Sequence, residues 1–163
     1  MAQDEKIISM DRELYEYKRK VIEKLLDSSE IVEAINAENL DPSELVYTHI
    51  FPFGVIPGTQ TEAKNIITVE VTMPQVSTVN YFFKDILLII NVICHTDLMR
   101  TDFGVPRHDY ISKLICEILN GSTEFGYGEV GLVSNTENAF SERHSGRTMR
   151  FQTKEQAKNN LCV

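Results

Sequence analysis

The chain lacks the short motifs that announce common chemistries. No GxSxG, HExxH or phosphate-binding P-loop occurs. Its three cysteines, Cys94, Cys116 and Cys162, form no CxxC pair and are odd in number. Reduced thiols in a cytosolic compartment are therefore expected rather than a disulfide framework. Cys94 and Cys116 sit inside apolar runs, where a small buried hydrophobe is the plain reading. The longest apolar run, residues 86–90, is far too short to span a membrane. The N-terminus is acidic and carries no apolar h-region, so no signal peptide is expected. Internal repeats and low-complexity segments are absent as well. Positive charge is also scarce: 16 Lys and Arg stand against 24 Asp and Glu, a net charge of −8. A whole-chain basic face for nucleic-acid phosphates is thereby excluded. The acidic excess lies in residues 1–80, and one local basic run stands apart from it: Arg143, His144, Arg147, Arg150, Lys154 and Lys158.

What is present is an ordinary globular composition, 42% apolar and 25% charged over 163 residues. That length suits one domain with a real core. A single domain over 1–163 is expected, with 1–6 and 155–163 as flexible tails.

Residues 8–26 place Met10, Leu14, Tyr17, Val21, Leu25 and Leu26 on one helical stripe. The "KRK" at 18–20 falls on the solvent side or the later turns, where cations suit the helix dipole. "DSSEIVEAIN" (27–36) offers Asp or Ser caps ahead of Ile31, Val32 and Ile35, so a second, shorter helix is predicted. "DPSE" (41–44) is a helix start with room for one turn, because "HIFPFGVIPG" then breaks it. Residues 66–76 alternate as a half-buried strand, with Ile67, Val69, Val71 and Met73 on one face and Pro74 at a sheet edge or bulge. Residues 82–95, "FFKDILLIINVICH", form a long strand that is apolar on both faces. Such a strand needs cover on both sides, within the fold or from another subunit. Residues 106–120 make the clearest helix, with Ile111, Leu114, Ile115, Ile118 and Leu119 as its core stripe. Pro106 opens it and "NG" closes it. Strands are predicted at 129–134 and 147–153, joined by a polar loop or hairpin tip. The class is α+β: a mostly antiparallel sheet of about four strands, helices on one face, and N-terminal helices preceding the sheet.

The stretch "NVICHTDLMRTDFGVPRHD" (91–109) gathers the residues that invite a chemical reading. Cys94, His95 and Asp97, with His108 and Asp109, are zinc-type ligands. No pair has a recognised ligand spacing, however, and adjacent strand residues point to opposite faces. The same geometry argues against a Cys94–His95 nucleophile. The plainer reading is a strand end, a turn at Asp102–Gly104 and a capped helix start. Arg107 either pairs with a carboxylate such as Asp97 or Asp102, within the chain or across a subunit joint, or lies solvated on the surface. The glycines of "NGSTEFGYGEVG" follow a helix and enter a strand, which is not the dinucleotide-binding order.

Taken together, "THIFPFGVIPGTQTEAKNIITVEV", "FFKDILLIINVICHTDLMRTDFGVPRHDYISKLICEILNG", "FGYGEVGLVSN" and "SGRTMRFQT" resemble tail-terminator or tail-completion proteins of tailed bacteriophages and phage-tail-like particles. The resemblance covers about residues 45–153 and rests on the order of elements and the strand–"CHTDLM"–helix core. It implies a structural virion protein, not an enzyme, with no catalytic residue, cofactor or metal to carry over. Subunits of that family close into a ring, commonly six-fold, which caps the tail tube and joins it to the head connector. The implied partners are further copies of the chain, a tail tube protein and a connector or stopper protein. DNA passes through the lumen without specific binding, and no membrane is involved. The implied location is the virion neck, and the host cytoplasm during assembly.

On that reading Asp97, Asp102, Arg107 and Asp109 are candidates for a subunit interface or for holding the corner. Phe53, Gln60 and Glu62 (loop 53–65) and Glu137, Arg143 and Arg147 (around loop 134–146) are candidates for axial contacts. An acidic inner wall would let DNA slide past, and the basic run would face an acidic partner. The alternatives are a head-closure stopper or other tube-associated protein, a small metal-dependent enzyme using His95, Asp97 and His108, and a stand-alone binding module.

Overall fold

The computed structural model describes residues 2–35, 39–55, 63–73 and 83–156. The N-terminal apolar stripe forms helix α1, Ala2–Asp27. It takes in residues 2–6, which the sequence assigns to a tail. Tyr17, Val21 and Leu25 are buried along it, with Leu14, Ile22 and Leu26 packed beside them. Two of the three "KRK" cations reach other elements rather than solvent alone. Lys18 Nζ donates to the Pro52 carbonyl at 2.6 Å and Lys20 Nζ to that of Glu124 at 3.3 Å. Ser28 separates α1 from helix α2, Ser29–Ile35, and its hydroxyl accepts from the Ile31 N–H at 3.4 Å, the N-cap role expected of it. The predicted single turn is a 3-10 helix, Pro42–Leu45, where Glu44 reaches back to the Asp41 N–H at 3.1 Å.

The strands are β1 (Ile50–Phe51), β2 (Asn65–Thr72), β3 (Phe83–His95), β4 (Tyr127–Ser141) and β5 (His144–Gln156). They form one sheet in the order β1-β2-β3-β5-β4, antiparallel except for the β1–β2 pair. Helix α3, Arg107–Leu119, links β3 to β4. This is the expected α+β class with five strands instead of about four. The additional strand is β1, whose two residues are too few to carry any periodicity.

One face of β3 presents Ile86, Leu88, Ile90, Val92 and Cys94. Register sets Val69 and Ile67 of β2 beside this row, and Phe151 and Met149 of β5 on its other flank. Helical residues Tyr17, Val21, Leu25, Ile31, Ile111 and Ile115 close over these side chains in a single core. Ser112 Oγ and Cys116 Sγ of α3 both contact Met149 Sδ, at 3.4 and 3.7 Å. Each fully buried Leu, Ile or Phe there contributes on the order of 2 kcal/mol.

Two expectations need correction. The strand at 66–76 is not simply half-buried: Ile66 and Thr68, which face away from the helices, are as buried as Ile67 and Val69. β2 ends at Thr72, and Pro74 lies outside the described residues. Of the two readings of 134–146, polar loop or hairpin tip, the hairpin is the one found, with a much shorter tip. β4 runs through to Ser141, and only Glu142 and Arg143 make the turn into β5. Polar side chains suit this stretch because β4 is an edge strand with solvent beside it. At the C-terminal end, Glu155 and Gln156 belong to β5, and 157–163 lie outside the described residues.

Candidate functional site

The crowded stretch 91–109 forms a corner. β3 ends at His95, a 3-10 turn spans Thr96–Leu98, and α3 begins at Arg107 behind Pro106. The Arg107 N–H donates to the Met99 carbonyl at 2.8 Å, and Thr101 Oγ1 to that of Val105 at 2.6 Å, so the loop is closed by its own backbone. Within the chain Arg107 pairs with neither Asp97 nor Asp102. Its Nε donates to the Leu98 carbonyl at 2.6 Å, one Nη to Ala34 at 2.9 Å and the other to Arg100 at 3.3 Å. Ala34 lies in the last turn of α2, where carbonyls lack helical partners and a cation is favoured. Arg107 therefore ties the corner to α2. Asp97 is left 76% exposed, nearest His95 Nδ1 at 3.6 Å, and Asp102 is exposed in the turn. A recess of about 690 Å³ opens beside this turn, lined in part by Thr96, Met99, Asp102 and Pro106.

The first turn of α3 makes a second cluster. Asp109 Oδ1 accepts from Arg147 Nε of β5 and from His108 Nδ1, the latter at 2.9 Å. His108, only 3% exposed, has its Nε2 3.6 Å from Glu137 Oε1 of β4. Glu137 and Arg147 are direct cross-strand partners. Burial raises the Asp109 carboxyl pKa, but the Arg147 guanidinium and His108 outweigh it, and the net effect is below the usual value. Three residues that the sequence assigned to two different roles, Asp109, Glu137 and Arg147, thus meet in one charge cluster that clamps α3 to the β4–β5 pair.

His95 and His144 are paired across β3 and β5. His95 Nδ1 accepts from the Asp97 N–H at 3.1 Å, which puts its ring proton on Nε2. His144 Nδ1 lies 2.8 Å from Ser141 Oγ, and its buried Nε2 has no hydrogen-bond partner among the described residues. Cys94 faces the core, and burial pushes its thiol up to about 12, an unreactive state. Cys94 and His95 therefore do not face each other. Among the described residues, no three His, Cys, Asp or Glu side chains are gathered so as to hold a metal ion.

The sheet face turned away from the helices carries a feature that the alternation pattern hid. Asn91 Nδ2 donates to Thr68 Oγ1 at 3.0 Å and to Glu70 Oε2 at 3.4 Å. Asn91 Oδ1 accepts from Thr148 Oγ1 at 2.7 Å, and Thr148 Oγ1 in turn accepts from Asn138 Nδ2 at 2.7 Å. This chain of side chains crosses β2, β3, β5 and β4. The signal available in the sequence was Asn91 itself, the one polar residue in the middle of an apolar strand.

Of the remaining axial candidates, Phe53 is exposed and packs edge-on to Phe51, ring centroids 5.7 Å apart, while Gln60 and Glu62 lie outside the described residues. Arg143 is exposed at the β4–β5 turn, and its carbonyl accepts from the Thr96 N–H at 2.9 Å, which fixes the turn against the corner. No helix among the described residues is long and apolar enough to cross a membrane.

A protein-family model, YomW, matches residues 22–153 of the chain. No curated protein and no solved structure matches it.

Proposed function

The chain belongs to the YomW family, a phage-associated family, and from that premise we propose that it is a structural virion protein, a tail terminator. Six copies close into a ring that caps the tail tube and meets the head connector, and DNA passes through an acidic lumen. Family membership supports the phage setting, and the resemblance of residues 45–153 to tail-terminator proteins supports the position in the tail.

The observation that carries the ring is the contrast between the two sheet edges. At one edge β1 spans two residues, and Tyr47 and Phe53 beside it are exposed. At the other, β4 spans 15 residues and exposes Leu132 and Val133. Large apolar side chains left in water mark contact surfaces. A contact between unlike edges is heterologous, and it repeats from copy to copy until the ring closes. Register shifts interrupt β4 at Leu132/Ser134 and Ala139/Ser141, so the contact uses side chains rather than a continued strand ladder.

The test combines sedimentation with electron microscopy of tail tubes from the same particle. The protein is expected to sediment as a closed oligomer and to sit at one end of each tube. Leu132→Asp combined with Val133→Asp is expected to abolish the closed ring and leave the tubes uncapped. A monomer at every concentration, with and without tubes, overturns the reading.

A further inference from the structure

The helix-free face of the sheet carries a charge pattern that is complementary to itself. Register places Glu70 of β2, Ile89 of β3 and Arg150 of β5 side by side in one row. The next row is Thr72, Leu87 and Gln152. All six side chains are half-buried, and Leu87 and Ile89 stand outside the core that the helices close. No ion pair among the described residues involves Glu70 or Arg150. One row thus has a carboxylate on one flank, an aliphatic centre and a guanidinium on the other flank.

We propose that this face docks onto the same face of a second copy, with a two-fold axis running along β3 at Ile89. Rotation about that axis exchanges the flanks, so Glu70 of each copy stands over Arg150 of the other, and Leu87 and Ile89 meet their counterparts between them. The perpendicular in-plane axis would set Glu70 over Glu70 and Arg150 over Arg150, so the charges of this row favour the first arrangement. Sheets stacked face to face lie about 10 Å apart, a gap that one Glu and one Arg side chain span together. Asp85, further along β3, also lies on the axis and meets its counterpart, with Lys154 of β5 beside each as its cross-strand partner. The contact is isologous and stops at two copies. It leaves both sheet edges free and does not depend on the ring.

The test is charge reversal read by sedimentation equilibrium of the full chain, every comparison carrying Leu132→Asp and Val133→Asp so that the edge contact is absent and only face pairing is read. The parent with those two changes alone is expected to pair, and more weakly as salt is raised. Glu70→Arg alone and Arg150→Glu alone are each expected to weaken pairing roughly tenfold or more, because like charges then face each other. The two reversals together are expected to pair again. An equimolar mixture of the two single variants is expected to form mixed pairs, since every facing charge is then opposite. Arg150→Glu breaks no hydrogen bond or ion pair shown within the chain, so its comparison with the parent stands even if Glu70→Arg folds poorly. Single reversals that pair as well as the parent, a mixture that stays monomeric, or a parent that never pairs would each overturn the proposal.

Discussion

His95 and His144 meet edge to face across the β3–β5 pair, ring centroids 5.0 Å apart and planes at 88°. Burial is the main reason the His144 pKa lies below its ordinary 6.5, and the neighbouring His95 adds to it. Between the folded pKa and 6.5 the unfolded chain takes up a proton that the folded chain refuses. Stability must therefore fall as pH falls through that window. Urea midpoints measured from neutral pH downward are expected to decline below 6.5 in the wild type and to lose that step in His144→Gln. A second decline is expected below 3.8, where the unfolded chain protonates Asp109 before the folded chain does. Arg147→Gln should shrink that second step and leave the first. An unchanged profile in His144→Gln would show that the histidine contact carries no linkage.

The Arg107 fork makes a different kind of statement. Its three carbonyl bonds join residues up to 73 positions apart. Arg107→Ala removes charge-assisted bonds from a half-buried site and is expected to cost about 2 kcal/mol or more. Arg107→Lys should recover only part of this, because an ammonium cannot reproduce the planar fork. Asp97→Asn and Asp102→Asn should change stability by less than about 0.5 kcal/mol, as exposed side chains do. Denaturant unfolding of the four variants checks the order. A large loss at Asp97 or Asp102 would mean that a carboxylate at the corner does more than these contacts account for.

The contrast between those residues explains what the sequence could and could not disclose. The long apolar periods of α1, β3 and α3 are local, and so are the caps at Ser28, Glu44, Pro106 and Asn120; β3 and α3 were legible to within a few residues, and α1 from residue 8 onward. The two-residue β1 has no period, and its existence depends on the His49 carbonyl accepting from the Ile67 N–H at 2.7 Å. The stretch 134–146 reads as a loop or hairpin tip because its Asn, Thr and Glu are turn-prone. As the edge strand it has no need of apolar residues, and Asn135 and Asn138 spend their amides on Ser112 and Thr148. The candidate residues were chosen from the right corner, but their partners were not visible. Arg107 finds carbonyls, which no side-chain pattern encodes, and Asp109 finds Arg147, 38 positions away.

Gly146 tests how closely β3 and β5 approach. A Cβ built there would lie 1.8 Å from the Val92 carbonyl oxygen, and the obstacle is backbone. Gly146→Ala must push the two strands apart and is expected to cost on the order of 3 kcal/mol, the upper range for overpacking. Gly131, also in a strand, has open space around its missing Cβ. Gly131→Ala should be close to neutral and serves as the control. Thermal unfolding of the pair compares them directly, and equal midpoints would mean that the strands can separate at no cost.

The polar chain across the helix-free face should behave as a unit. Asn91 uses both ends of its amide, donating to Thr68 and accepting from Thr148. Asn91→Ala strands two buried hydroxyls and should cost about 1–3 kcal/mol. Thr148→Val removes the donor to Asn91 Oδ1 and the acceptor for Asn138 at once, and should fall in the same range. Because both changes break one shared contact, the double variant should lose less than the sum, with a coupling energy of about 0.5–2 kcal/mol. The cycle is closed with chemical denaturation of the four proteins at one pH. Strict additivity would mean that the two hydroxyls and the amide are satisfied independently, and that Asn91 holds its place in an apolar strand for some reason other than this chain of bonds.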